Sequence, residues 1–201
     1  MVTPAPEITD HSTQQRLFDA ALELFSRKGY AATSVRELVE VAGVSKPVLY
    51  YYFRNKEDLY LALIQNGLVE FHTTAERFKT SSAPLRERIT GYCTGLLDIF
   101  MARLPVARLI YAIYYGPPQG APPVDFDASF STMLQDVATM LQEGITTGEL
   151  AGINVEDAAW SIVSILNTTM EEQLCHSDRP RLDRESLQRM LALLFKGIDH
   201  D

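Results

Sequence analysis

Apolar residues recur along this chain at three- and four-residue spacing, and nowhere do they alternate for long enough to predict a strand. Leu17, Ala20, Ala21, Leu24 and Phe25 form the first such stripe, with Ser12 or Thr13 as its predicted N-cap. Gly29 follows Arg27 and Lys28 and closes that helix. A second, short helix carries Val35, Leu38, Val39 and Ala42 on its inner face, with Thr33 as its predicted cap, and Gly43 breaks it. Ser45 is placed to cap a third helix. Asn55 is placed to cap a fourth, with Asp58 three residues later in a reciprocal arrangement.

Longer helices follow. Pro84 fits the first turn of one whose stripe is Leu85, Ile89, Tyr92, Cys93, Leu96, Leu97, Phe100 and Met101. Pro105 interrupts it, and another helix runs through Leu109 to Tyr115. Residues 116–125, GPPQGAPPVD, hold four prolines and two glycines and predict a loop. The next helix ends at Gly148, and Asn154 with Asp157 opens its successor. The last helix begins near Asp183 and carries Leu187, Met190, Leu191, Leu194 and Phe195. The expected fold is all-α, a head of short helices joined to a body of long ones. The expected divisions are a disordered tail over 1–12, a head over 13–59 and a body over 60–201.

The head raises a problem of its own. Tyr50, Tyr51 and Tyr52 are consecutive, and a helix presents only one stripe to its core. With Leu49 and Phe53 as the buried edge of the third helix, Pro47 and Tyr51 project opposite it and Tyr50 lies between. Lys46 and Tyr52 border that outer face. Two short helices meeting at a glycine turn have the layout of a helix-turn-helix. Tyrosine hydroxyls bond phosphate oxygens, and rings and Pro47 suit thymine methyl groups in a major groove. Ser45 and Lys46 at the helix start would reinforce an attraction for phosphate. Lys56 and Thr33 are placed to contact flanking backbone. The competing reading is a core hairpin whose tyrosines lie half-buried.

Charge bears on that choice only after it is divided. The chain is 46% hydrophobic and 22% charged, with a net charge of −8, which on its face disfavours nucleic acid. Between His11 and Tyr60, however, seven Lys and Arg stand against six Asp and Glu, so the acidity belongs mainly to the body. No apolar run approaches the roughly 18 residues of a spanning helix, and no signal-peptide pattern opens the chain. A cytoplasmic protein away from the membrane is expected.

The run ATSVRELVEVAGVSKPVLYYYFRNKEDL resembles the DNA-binding head of the TetR family of transcriptional regulators. The likeness rests on Phe25, Gly29 and Tyr30, on Thr33 and Val35, on Ala42-Gly43-Val44-Ser45, and on Leu49-Tyr50-Tyr51, Phe53, Lys56 and Leu59. It covers residues 13 to about 60 closely, whereas the body is similar only in helical layout. Tyr52 replaces the histidine of many members, and Val39 stands where helix-turn-helix proteins often carry alanine. The resemblance implies a ligand-responsive regulator, with repression the commoner outcome and activation an alternative. It places the motif over about 34–53 and adds Ser34 and Val44 to Thr33, Ser45, Lys46, Pro47, Tyr50, Tyr51, Tyr52 and Lys56 as DNA-facing residues. Its expected partners are a palindromic double-stranded operator, a second copy of the chain and a small apolar or aromatic effector, with no cofactor.

For the body the resemblance implies an effector pocket, for which Phe71, Tyr92, Phe100, Tyr111, Phe130 and Asn167 are the candidates. It also implies an intersubunit bundle of the last two helices, with Trp160, Val163, Met170, Leu187, Leu191 and Leu194 as candidate contacts. The penultimate helix supports this independently, because it has two apolar stripes, although the central helix of a monomer would show the same pattern. Two rival functions remain. An enzyme is disfavoured because His11, His72, His176 and His200 show no metal spacing and no catalytic motif appears, and Cys93 and Cys175 fit helical cores. A helical ligand-binding or adaptor protein would use the same head on another protein, and its binding would depend only weakly on salt.

Overall fold

The computed structural model describes residues 10–116, 120–176 and 178–198. Nine helices and no strand occur among the described residues. They are α1 (Asp10–Lys28), α2 (Val35–Ala42), α3 (Lys46–Tyr52), α4 (Lys56–Lys79), α5 (Leu85–Ala102), α6 (Leu104–Tyr115), α7 (Phe126–Thr147), α8 (Val155–Cys175) and α9 (Arg184–Ile198). No helix is long and apolar enough to cross a membrane among these residues.

The chain divides into two compact units, one drawn from residues 1–67 and 105–124 and the other from 68–104 and 125–201. The expected boundary at 59/60 therefore falls inside α4, and α6 belongs with the head although periodicity alone assigned it to the body. Close packing accounts for part of this: a Cβ on Gly67 would come within 2.9 Å of Val106 on α6. α1 starts at Asp10, inside the segment expected as a tail over 1–12, and residues 1–9 of that segment lie outside the described ones. Neither Ser12 nor Thr13 is the N-cap, and Thr13 is instead buried within α1.

In the first unit α1 packs on α2, and Leu17, Phe18, Ala21, Leu24 and Phe25 of α1, Leu38 and Val39 of α2, Leu49 of α3, and Leu59, Tyr60 and Leu63 of α4 are all buried. Phe25, Tyr30 and Tyr60 form an aromatic triangle with centroids 5.2–5.8 Å apart. Phe18 meets Phe53 at 5.6 Å and so holds the end of α3 to α1. Each such pair adds about 0.5–1.5 kcal/mol beyond its buried area.

In the second unit α5 packs on α7, α8 and α9. Its stripe from Leu85 to Phe100 is buried as the periodicity predicts, except Met101, which is exposed. Gly91 and Gly95 let the Phe78 ring of α4 lie directly on α5, since a Cβ on Gly91 would approach that ring to 2.3 Å. A polar network runs through this packing. Asp136 of α7 pairs with Lys79 at 2.7 Å and accepts from the Tyr92 hydroxyl at 3.1 Å. Arg88 donates to the Phe78 and Lys79 carbonyls and pairs with Glu143 at 2.9 Å. The predicted caps at Asn154 and Gly148 hold: Asp157 N–H donates to Asn154 at 3.1 Å, and Gly148 closes α7 at φ 81°. The helix after Pro105 begins earlier than Leu109, with the proline in its first turn, where a missing N–H costs no hydrogen bond.

Candidate nucleic-acid interface

The start of α2 is fixed by a capping box at Ser34 and Glu37, not at Thr33. Ser34 accepts from the Glu37 N–H at 3.3 Å, and the Glu37 carboxylate accepts from the Ser34 N–H at 2.9 Å. Thr33 is buried, and its hydroxyl donates to the Gly29 carbonyl at 2.9 Å, closing the end of α1. Its hydroxyl is thereby withdrawn from the surface on which the sequence placed it. The Lys28 ammonium donates to Glu37 and, with the Ser34 bonds behind it, holds that carboxyl down to about 2. A group with a lowered folded pKa stabilises above its ordinary value near 4.5 and loses that contribution as pH falls from there towards 2. Glu37→Gln keeps the cap geometry but not the ion pair. Thermal melts between pH 6 and pH 2.5 are expected to fall less steeply for the variant below about pH 4.5; parallel acid limbs would refute the assignment.

The end of α2 turns sharply. Gly43 is left-handed at φ 62°, its N–H bonds the Glu40 carbonyl at 3.2 Å, and the Val44 N–H bonds the Val39 carbonyl at 2.9 Å. This is a Schellman closure, and it depends on a residue without a Cβ penalty at Gly43. Two residues later Ser45 opens α3, its side chain making no cap bond. Within α3 only Leu49 is buried, and Phe53 just beyond it is buried as well. The outer face is as the wheel predicted: Ser45, Lys46 and Pro47 are exposed, Tyr50 is 51% exposed and Tyr51 79%. Ser34 is exposed too, and Val44 and Tyr52 are half-buried. Tyr52 lies edge-on to Tyr51 at 5.0 Å and tilts against Phe53 at 6.3 Å, so it props the exposed ring against the core.

Lys56 departs from expectation. Its ammonium donates to the Tyr30 and Thr33 carbonyls, both at 2.9 Å, and sits 4.1 Å above the Tyr30 ring. Burial, and after it the charge of Lys28, lowers its pKa. It ties the α1–α2 connection to α4, and two of its donors are engaged there. Arg16 and Lys28 are likewise engaged inside the head, and Arg27 pairs with Glu23 on its surface. Arg36, Lys46 and Arg54 remain as exposed basic side chains around α2 and α3. Arg36 and Arg54 were passed over in the sequence. Their signal is position, in the first turn of α2 and two residues past the end of α3.

The six pocket candidates are divided between the two units. Phe71, Phe130 and Asn167 are half-buried in the second unit, Tyr92 and Phe100 are fully buried there, and Tyr111 lies on α6 in the first unit, 5.6 Å from the Tyr115 ring. Tyr92 is engaged by Asp136, and its pKa is raised first by burial and then by that carboxylate. An open groove of about 830 Å³ runs between α7 and α8, lined by Leu134, Ala138, Val155, Ala159 and Trp160 among others, and none of the six lines it. The interface candidates need a larger correction. Val163, Met170, Leu187 and Leu191 are buried in the chain's own core, because α5, α7 and α9 pack on α8 from within the same chain. Leu194 is half-buried, Trp160 is 48% exposed against Phe130, and Leu193, absent from the predicted set, is 68% exposed. Cys93 is buried and its thiol pushed up to about 12, which leaves it inert at neutral pH.

A capped short helix, a glycine turn and a second short helix with an exposed aromatic face define a helix-turn-helix protein. Residues 17–63 match the family model described as bacterial regulatory proteins, tetR family. The transcriptional activator FasR of Mycolicibacterium smegmatis is 33% identical over 195 residues, covering 92% of this chain and 82% of that protein. The transcriptional regulator AcuR of Cereibacter sphaeroides is 34% identical over 150 residues, covering 72% and 68%. In fold, the fatty acid degradation regulator FadR from Bacillus halodurans superimposes with a TM-score of 0.71 at 17% identity over the whole of both chains. The chain belongs to the TetR family and is a DNA-binding transcriptional regulator.

Proposed function

We propose that this regulator binds a palindromic operator as a homodimer, reads it with α3, and is released by an apolar or aromatic small molecule held in its second unit. The observation that carries this reading is the face of α3, where Pro47, Tyr50 and Tyr51 are exposed together while Leu49 and Phe53 alone anchor the helix. Tyr50 and Tyr51 meet base edges and thymine methyl groups, while Ser45, Lys46, Ser34 and the exposed Arg36 and Arg54 grip phosphates. Tyr52 braces the exposed rings, and Lys56 acts through the backbone it holds. The dimer surface is the outward side of α8 and α9, with Trp160 and Leu193 in place of the four residues buried in the protomer. Phe71, Phe130 and Asn167, all half-buried in the second unit, suit an effector with a ring or chain and one polar group. Whether binding represses or activates follows from where the operator lies relative to the promoter, since one head serves both.

The test is selection of bound duplexes from a random pool at moderate salt, followed by titration of the recovered sequence against salt. The expected result is an inverted repeat whose half-sites are separated by about one helical turn, some 34 Å, or a multiple of it. Affinity should fall steeply with salt, log K losing about 0.9 per phosphate neutralised for each unit of log salt. Folded protein that enriches no sequence, or binding indifferent to salt, would favour an adaptor whose head meets another protein.

A further inference from the structure

The third helix is weakly anchored for an element that must be aimed. It has seven residues, one buried side chain of its own and one more just beyond its end. Leu49 and Phe53 fix one edge of it, and a helix held along one edge is free to swing about that edge unless the chain leading into it is also fixed. That lead-in is the turn at Ala42, Gly43 and Val44. Arg16 of α1 grips it from outside the motif. Its Nε donates to the Ala42 carbonyl at 3.0 Å, and one Nη nitrogen donates to the Ala42 and Gly43 carbonyls, both at 2.6 Å. These carbonyls close α2, where backbone acceptors lack helical partners and a cation is favoured by the helix dipole. A planar guanidinium holds two acceptors in one orientation, which a point charge does not. The guanidinium also occupies the space above Gly43, where a Cβ would stand 3.0 Å from it.

We infer that Arg16 is a positioning residue for DNA recognition: by clamping the two carbonyls at the turn it sets the angle at which α3 meets the groove, without touching DNA itself. The inference rests on α3 being the reading helix. It predicts a particular pattern of loss, because non-specific binding draws on phosphate contacts that tolerate a tilted helix, whereas base readout does not.

The experiment compares the wild-type protein, Arg16→Ala and Arg16→Lys on the selected operator and on a random duplex of equal length, across a range of salt. Wild-type protein that recovers no operator would defeat the reading of α3, and the variants would not then be needed to decide that. Given an operator, Arg16→Ala is expected to lose about tenfold or more in operator affinity while random-duplex affinity stays within about twofold. The salt slope should be unchanged, and Arg16→Lys, which restores a cation but not the fork, should recover part of the loss. A fall on both duplexes with a slope shallower by about 1.8, about 0.9 for each protomer of the dimer, would make Arg16 a phosphate contact and overturn the inference. Unchanged operator affinity would overturn it equally. If Arg16→Ala does not fold, Arg16→Lys carries the comparison, since operator affinity then either falls selectively or does not.

Discussion

Tyr51→Ala is expected to lower operator affinity by about 30- to 1,000-fold while moving the melting temperature by no more than about 2 °C. The first figure comes from about 1–2 kcal/mol of base contact per recognition helix, counted twice in a dimer. The second comes from exposure. A ring 79% exposed contributes little to the core, and surface substitutions commonly stay within about 0.5 kcal/mol. Its edge-on neighbour Tyr52 keeps its own contact with Phe53 when the ring is removed. Tyr51→Phe separates two modes of contact: retained affinity would assign the ring to a thymine methyl, and a loss near that of alanine would assign the hydroxyl to a phosphate or base edge. A large drop in melting temperature, or an alanine variant that binds as well as the parent, would remove Tyr51 from the interface.

Much of the head was legible because its determinants are local. Gly29 and Gly43, the Asn55 cap and the buried edge of α3 each follow from residue types within four positions of one another, and each stands where the spacing put it. Asp58 is a partial exception. Its N–H donates to Asn55 at 2.8 Å, but its carboxylate accepts from the Arg54 N–H, one residue before the reciprocal position. The cap of α2 is local too: Glu37 stands three residues after Ser34, the interval that a capping box needs, and no such partner follows Thr33. What could not be read was anything decided by partners distant in sequence. Lys56 looks like a free cation until the Tyr30 and Thr33 carbonyls are brought beneath it from more than twenty residues away. Arg16 looks like the polar face of an amphipathic helix, and only the fold carries it to Ala42. The same limit misplaced the dimer residues: two apolar stripes on α8 show that two sides are covered, but not whether α5, α7 and α9 or a second chain covers them.

Gly43→Val is expected to destabilise the protein by about 2–3 kcal/mol and, with it, to remove specific DNA binding. Two separable causes contribute. At φ 62° a residue with a Cβ costs about 1–2 kcal/mol, and a β-branched one is the least tolerant of that region. The added Cβ also stands 3.0 Å from the Arg16 guanidinium, which must move and release charge-assisted bonds to two carbonyls that water will only partly replace. In a chain of 201 residues such a loss lowers the melting temperature by roughly 5–10 °C. Asparagine tolerates the left-handed region but not the crowding, so the expected order of stability is Gly, Asn, Ala, Val. The Arg16 contribution can be isolated with a double-mutant cycle: once Arg16→Ala has removed the guanidinium, Gly43→Ala should cost less than it does in the parent, because only the backbone penalty is left. Strictly additive losses would mean that the guanidinium does not depend on the open space above Gly43. An undiminished melting temperature for Gly43→Val would mean that the turn does not hold the left-handed conformation on which the aim of α3 depends.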